Sequence, residues 1–327
     1  MSLDADQIVD RRRMRRKLTS WRVLAVVAAI VAVVGLAAGL LPDGARLAGG
    51  SDAAIARVTI EGLIRSNQQR VEALERLSQS RAQAVIVHIN SPGGTTAGSE
   101  QLYDALARLK TRKPMVVVVD GLAASGGYIA ALAADYIIVQ QSSLIGSIGV
   151  LFQYPNVAEL LKTIGVKVEE IKSSPLKAAP SGFEPTSPAA RAAIEAIVMD
   201  SYAWFRDLVR DRRQLAGAEL ERVTDGRVFT GRQALDLKLV DALGNEQTAR
   251  DWLAKEKNID LKTPVRDYPL APRFSDLPFL HVAMAGLLDA MGLSSFARRM
   301  EEWGTVQAVE RLNLDGLLAL WHPPVSN

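Results

Sequence analysis

The sequence contains no cysteine. That excludes disulfides, thiolate metal sites and a cysteine nucleophile, and leaves an oxidising compartment open as a place of residence. Histidine is scarce as well: His88, His281 and His322 are the whole complement. Chemistry that needs a histidine base therefore has few residues to draw on. No metal and no cofactor is expected. The body of the chain also lacks an excess of charge of either sign. Residues 1–22 carry seven Lys/Arg and three acids, and the other 305 residues carry 32 basic and 33 acidic groups. Nucleic-acid binding needs a basic face on the folded body, so nucleic acid is not an expected partner.

The clearest feature present is an uncharged run over residues 23–41, VLAVVAAIVAVVGLAAGLL. About 20 apolar residues cross a bilayer core. The run follows RRRMRRK at 11–17, and such a cluster holds its flank in the cytoplasm. The expectation is a basic cytoplasmic tail (1–22), a transmembrane helix (23–41), a linker (42–53) and a body on the far side of the membrane. The alternative is a cleaved signal peptide, whose apolar core is usually shorter, about 7–15 residues.

From residue 54 to 254 strand-like and helical patterns alternate. IARVTI (55–60), AVIVHI (84–89), MVVVV (115–119) and YIIV (136–139) read as strands, as does 166–171. Helices are expected over 66–80, 98–110, 125–134, 156–164 and 188–213. In the last, Ile194, Ile197, Val198, Tyr202, Phe205 and Leu208 stand at core spacing. Solid apolar strands between helices indicate an α/β fold with a mostly parallel sheet covered on both faces. Residues 255–327 form an extension with no readable role.

Three loops follow apolar strands, where α/β sheets bind ligands. The first is NSPGG, 90–94. Its glycines would let backbone N–H groups face a ligand, as an oxyanion hole requires, or would simply make a tight turn. The second, DGLAASGGY at 120–128, sets Ser125 at the start of an apolar helix. Ser125 is there either a nucleophile, with the Gly126 N–H as an oxyanion donor, or a helix cap. The third is SSLIGSIGV, 142–150. Leu144, Ile145, Gly146, Ser147 and Ile148 would line a groove for an extended apolar peptide, or cross the core.

A serine nucleophile needs a base. His88 lies inside a strand, and the other histidines lie in the extension. A lysine can serve if burial lowers its pKa by ~3–5 units from ~10.4. Lys177, in the segment SSPLKAAP at 173–180, is the candidate, and Lys172 competes with it.

Together NSPGG, AASGGYIAALAAD (123–135), GSIGV (146–150), IKSSPLK (171–177) and DGRVFTGRQALDLKLVDALG (225–244) resemble the signal peptide peptidase A family. Its members are membrane-anchored Ser-Lys serine peptidases of the Clp-protease and crotonase-like fold, a superhelix of ββα units. The resemblance covers about 54–250. It implies Ser125 as nucleophile, Lys177 as general base, and Gly94 and Gly126 as oxyanion donors. It also implies apolar peptide substrates such as signal peptides, a homo-oligomeric ring, a place in the inner membrane with the catalytic domain periplasmic, and a base that a neighbouring copy can supply. A crotonase-type acyl-thioester enzyme and a catalytically silent scaffold are the competing readings.

Overall fold

The computed structural model describes residues 54–270 and the strand 317–320. The tail, apolar run and linker at 1–53, and most of the extension beyond 270, lie outside the described residues. Among the described residues no helix is long and apolar enough to cross a membrane.

The frame is an eight-stranded mixed sheet. Strands β1 (Ile55–Glu61), β2 (Ala84–Ser91), β4 (Met115–Ala124) and β5 (Tyr136–Val139) lie side by side and parallel. β9 (Ala242–Leu243) extends this order beyond β5. On the other edge β10 (Val265–Asp267) pairs with β1, so the extension's first residues belong to the sheet. The end of β4 carries β6 (Leu144–Gly146), parallel to it, and β6 in turn pairs antiparallel with β8 (Val228–Thr230).

Alternation along the strands explains the solid apolar runs. Val85, Val87 and Ile89 point into the larger core, where Leu74, Leu77, Leu102 and Leu106 pack. Ala84, Ile86, Val116 and Val118 point to the opposite face, against Ala249 and Leu253. Met115 to Val119 is fully buried, worth ~1.5–3 kcal/mol per large side chain relative to exposure. The larger core is covered by α1 (Gln68–Ser78) and α2 (Thr96–Lys110), and the smaller by α8 (Glu246–Lys257). Asn67 caps α1 and Thr95 caps α2 through side-chain oxygens.

The expected helix at 188–213 is α5 (Pro188–Arg213), with Ser187 capping it and Pro188 in its first turn. Its core stripe is shorter than its spacing suggests. Phe205 and Val209 are buried, but Ile197 and Met199 are exposed. The expected strand at 166–171 does not form either. Val166, Val168 and Ile171 are exposed and have no neighbouring strand. A strand needs a partner for its N–H and C=O groups, and within the described chain none reaches this segment.

A second, small sheet lies beside the first. Its order is β3 (Gly93–Thr95), β11 (Leu317–Leu320), β7 (Leu151–Phe152). β11 runs antiparallel to both neighbours.

Candidate active site

β4 ends at Ala124, and the short helix α3 (Gly126–Ala131) begins two residues later. Ser125 makes the corner with φ 53° and ψ −117°. A non-glycine residue there costs on the order of 1–3 kcal/mol and persists only where the surroundings impose it. The imposing contacts are visible. The Ser125 N–H donates to Gly146 O at 2.7 Å, and its carbonyl accepts from Tyr128 N and Ile129 N at 2.9 Å each. The Tyr128 hydroxyl donates to Leu239 O at 2.7 Å, and burial raises its pKa. Arg212 donates to Leu132 O and Ala134 O, both at 2.7 Å, closing the far end of the turn.

The cap reading of Ser125 fails. Its side chain makes no capping hydrogen bond, and its Oγ is buried without any partner. A buried orphan hydroxyl costs ~1–3 kcal/mol. A strained strand-to-helix corner that aims a free hydroxyl is the arrangement of a nucleophile elbow, built here without that motif's first glycine.

The NSPGG loop packs onto this corner. The Ser91 hydroxyl donates to Gly62 O at 2.7 Å and accepts from Gly93 N at 3.1 Å, pinning the loop. A Cβ on Gly127 would stand 2.6 Å from Ser91 O, and one on Gly94 1.7 Å from Ile64 O. Both glycines are therefore required by close backbone approach. Gly126, the second expected oxyanion residue, is buried at the first position of α3, where an N–H has no intrahelical acceptor.

The 144–148 segment contributes differently from a groove lining made of side chains. Ile145 and Ile148 are fully buried in the larger core, and Leu144 is half-buried. Gly146 holds Ser125 through its carbonyl, and Ser147, at φ 52°, donates its N–H to Arg227 O.

The two lysines separate clearly. Lys172 bridges Glu170 at 2.6 Å and Glu184 at 2.8 Å. The hydrogen bond to Glu170, then that to Glu184, raises its pKa and keeps it charged. That is the wrong state for a base. It lies in an open hollow of about 460 Å³ that contains none of Ser125, Gly94 or Gly126. Lys177 is exposed, and its ammonium makes no ion pair or hydrogen bond among the described residues. The described chain does not join it to Ser125, whose Oγ has no partner.

His88 is committed elsewhere. Its two ring nitrogens pair with Asp120 and Glu246, each at 2.8 Å, and Arg57 holds the same Glu246 through two bonds. Though it lies inside an apolar strand, His88 is the centre of a half-buried polar relay. His281 and His322 lie outside the described residues. The sequence reading also missed Ser91 as the loop's staple, Gly127 as a contact glycine, and Arg212.

The profile of Peptidase family S49 matches residues 107–260, and that of Clp protease matches 58–144. The Synechocystis sp. protein slr0021, whose name assigns it provisionally to the proteases, is 36% identical over 208 residues. The match covers 63% of this chain and 75% of that one. The chain belongs to peptidase family S49. Family S49 peptidases such as protease 4 are serine proteases. Protease 4 of Haemophilus influenzae is 32% identical over 57% of this chain and 30% of its own length. Serine protease SPPA of the Arabidopsis thaliana chloroplast is 30% identical over 64% of this chain and 32% of its own. The match thus spans three quarters of the first relative and about a third of the other two. The α/β fold is Clp-protease-like, as the family resemblance implied.

Proposed function

We propose that this S49 chain is a membrane-anchored serine endopeptidase that uses Ser125 and Lys177 as a dyad on extended apolar peptides, cleaved signal peptides among them. The observation that carries the reading is the strained, buried Ser125 with its unpartnered Oγ. A capping or structural serine would have spent that hydroxyl on a hydrogen bond.

In this reading a neutral lysine amine takes the Ser125 proton as Oγ attacks the peptide carbonyl. The N–H groups of Gly94 and Gly126 hold the oxyanion. The lysinium then protonates the leaving amine, and water releases the acyl group. Lys177 is the base because Lys172 is held charged between two carboxylates. Lys177 comes from a neighbouring copy in a homo-oligomeric ring. Its ammonium is exposed and has no partner among the described residues, and the segment around it leaves Leu160, Ile164, Ile171, Leu176 and Phe183 exposed. Burial against a neighbour is what favours the neutral amine. The Clp-type ββα superhelix lends itself to such rings. The run at 23–41 supplies the anchor in the inner membrane, with the catalytic domain on the periplasmic side. Ile145 and Ile148 brace the groove floor from the core, and the backbone of Leu144, Gly146 and Ser147 flanks the peptide.

Mixing two inactive variants tests both the dyad and its origin. Ser125→Ala and Lys177→Ala should each lower kcat/KM by at least about 10³, the scale of a lost nucleophile or base. Co-assembled, they should recover part of the activity, because some interfaces pair an intact serine with an intact lysine. Full activity in either single variant contradicts the dyad. No recovery in verified mixed assemblies contradicts supply from the neighbour.

A further inference from the structure

β3 and β7 do not pair with each other. They run parallel on either side of a slot one strand wide, and β11, from the chain's own C-terminal segment, fills it. The register is Leu318 opposite Thr95, Ala319 opposite Gly94 and Leu320 opposite Gly93 on one side, and Leu317 opposite Phe152 and Leu318 opposite Leu151 on the other.

The direction of the Gly94 backbone gives this pairing its meaning. Thr95 N donates to Ile64 O at 2.9 Å, and Gly93 O accepts from Ile64 N at 2.8 Å. Successive residues of a strand point their polar groups to opposite sides. The N–H and C=O of Gly94 therefore face away from Ile64, toward β11. In an antiparallel ladder, directly opposed residues that face each other this way exchange both N–H···O bonds. The Ala319 carbonyl is thus the acceptor for the Gly94 N–H. On the proposed mechanism, that N–H is the one that receives the carbonyl under attack.

We propose that the C-terminal segment Leu317–Leu320 is an internal pseudo-substrate. It occupies the peptide-binding strand of the active site with Ala319 in the position of the residue whose carbonyl is attacked, and so competes with peptide substrates. This rests on the reading of Gly94 and Ser125 given above. Two further features agree with it. Ser125 Oγ, which a substrate must reach, is buried. The sequence after the strand is Trp321-His322-Pro323-Pro324. Prolines donate no ladder hydrogen bond, and the observed pairing is three residue pairs on one side and two on the other, short enough for a substrate to displace.

The test compares the full chain with a chain ending at Asp315 and with the full-length variant Ala319→Pro, which removes the strand's central N–H. The first readout is the rate at which a fluorophosphonate labels Ser125. A tail that fills the slot nine-tenths of the time slows labelling about ten-fold. Truncation and Ala319→Pro should both raise the rate by about that factor. A synthetic peptide of residues 313–327 added to the truncated protein should raise KM for a peptide substrate and leave kcat unchanged. Equal labelling of all three proteins overturns the proposal. If none of them is labelled, the serine mechanism fails, and amide hydrogen exchange decides the tail on its own. Loss of protection at 93–95 and 151–152 on truncation upholds strand occupancy, and unchanged protection refutes it.

Discussion

Replacing Ser125 by glycine should make the protein more stable while abolishing turnover. Three effects set the magnitude. Glycine adopts φ 53° without a Cβ penalty, which relieves ~1–3 kcal/mol of backbone strain. It removes a buried hydroxyl without a partner, a penalty of ~1–3 kcal/mol. It also adds conformational freedom to the unfolded chain, which costs ~0.5–1 kcal/mol. The strain and hydroxyl contributions overlap, because both concern one residue, so the net expectation is ~1–4 kcal/mol of stabilisation. For a folded unit of about 200 residues each kcal/mol moves Tm by ~2–4 °C, so Tm should rise by roughly 2–16 °C. Ser125→Ala isolates the hydroxyl contribution and should raise Tm less. Differential scanning calorimetry at one protein concentration and salt reads the shift, and peptide hydrolysis reads the activity. A helix cap behaves oppositely, since losing it costs ~0.5–2 kcal/mol. An unchanged or lowered Tm in Ser125→Gly would refute the claim that the corner is strained in the service of its hydroxyl.

Other expectations follow from the same geometry. Gly94→Ala places a Cβ against the Ile64 carbonyl, which cannot yield without breaking its bond to Thr95. It should cost ~1–3 kcal/mol and, through displacement of the proposed oxyanion donor, ~10²–10³ in kcat; wild-type values for both Tm and kcat would contradict that proposed role. The hydrogen bond from Arg57, with that from His88, lowers the pKa of Glu246 despite its partial burial. A depressed carboxylate stabilises the fold above its unfolded pKa, near 4.5. That contribution is lost as pH falls below this value toward the folded one. Glu246→Gln should therefore flatten the loss of stability in acid below about pH 4.5, as read by urea unfolding across pH; an identical acid profile would contradict the relay.

The frame was legible because its strands are solid apolar runs and its helices carry caps and faces of their own. Residues 115–119 and the bounds of α5 could be read directly. The segments that misled are apolar stretches that the described chain leaves exposed. Val166 and Val168 alternate as a strand would, and Ile197 stands at core spacing on its helix, yet all three are exposed in the described chain. Periodicity reports a tendency to be buried without naming the partner. Ser125 shows the complementary limit. Its surroundings of small residues suit a cap better than a nucleophile, and only the backbone angles and the unspent hydroxyl reverse that reading. The histidine relay was hidden because its members come from four distant stretches of chain. The slot between β3 and β7 was hidden because neither two- or three-residue strand has a pattern long enough to read.

The most direct test of the central claim is covalent. The folded chain lacking residues 316–327 is treated with a fluorophosphonate, digested and mapped by mass spectrometry. One adduct on Ser125, lost in Ser125→Ala and slowed in Lys177→Ala, is the predicted result. An adduct on another residue, or none on the folded protein, would contradict the assignment of Ser125 as the nucleophile.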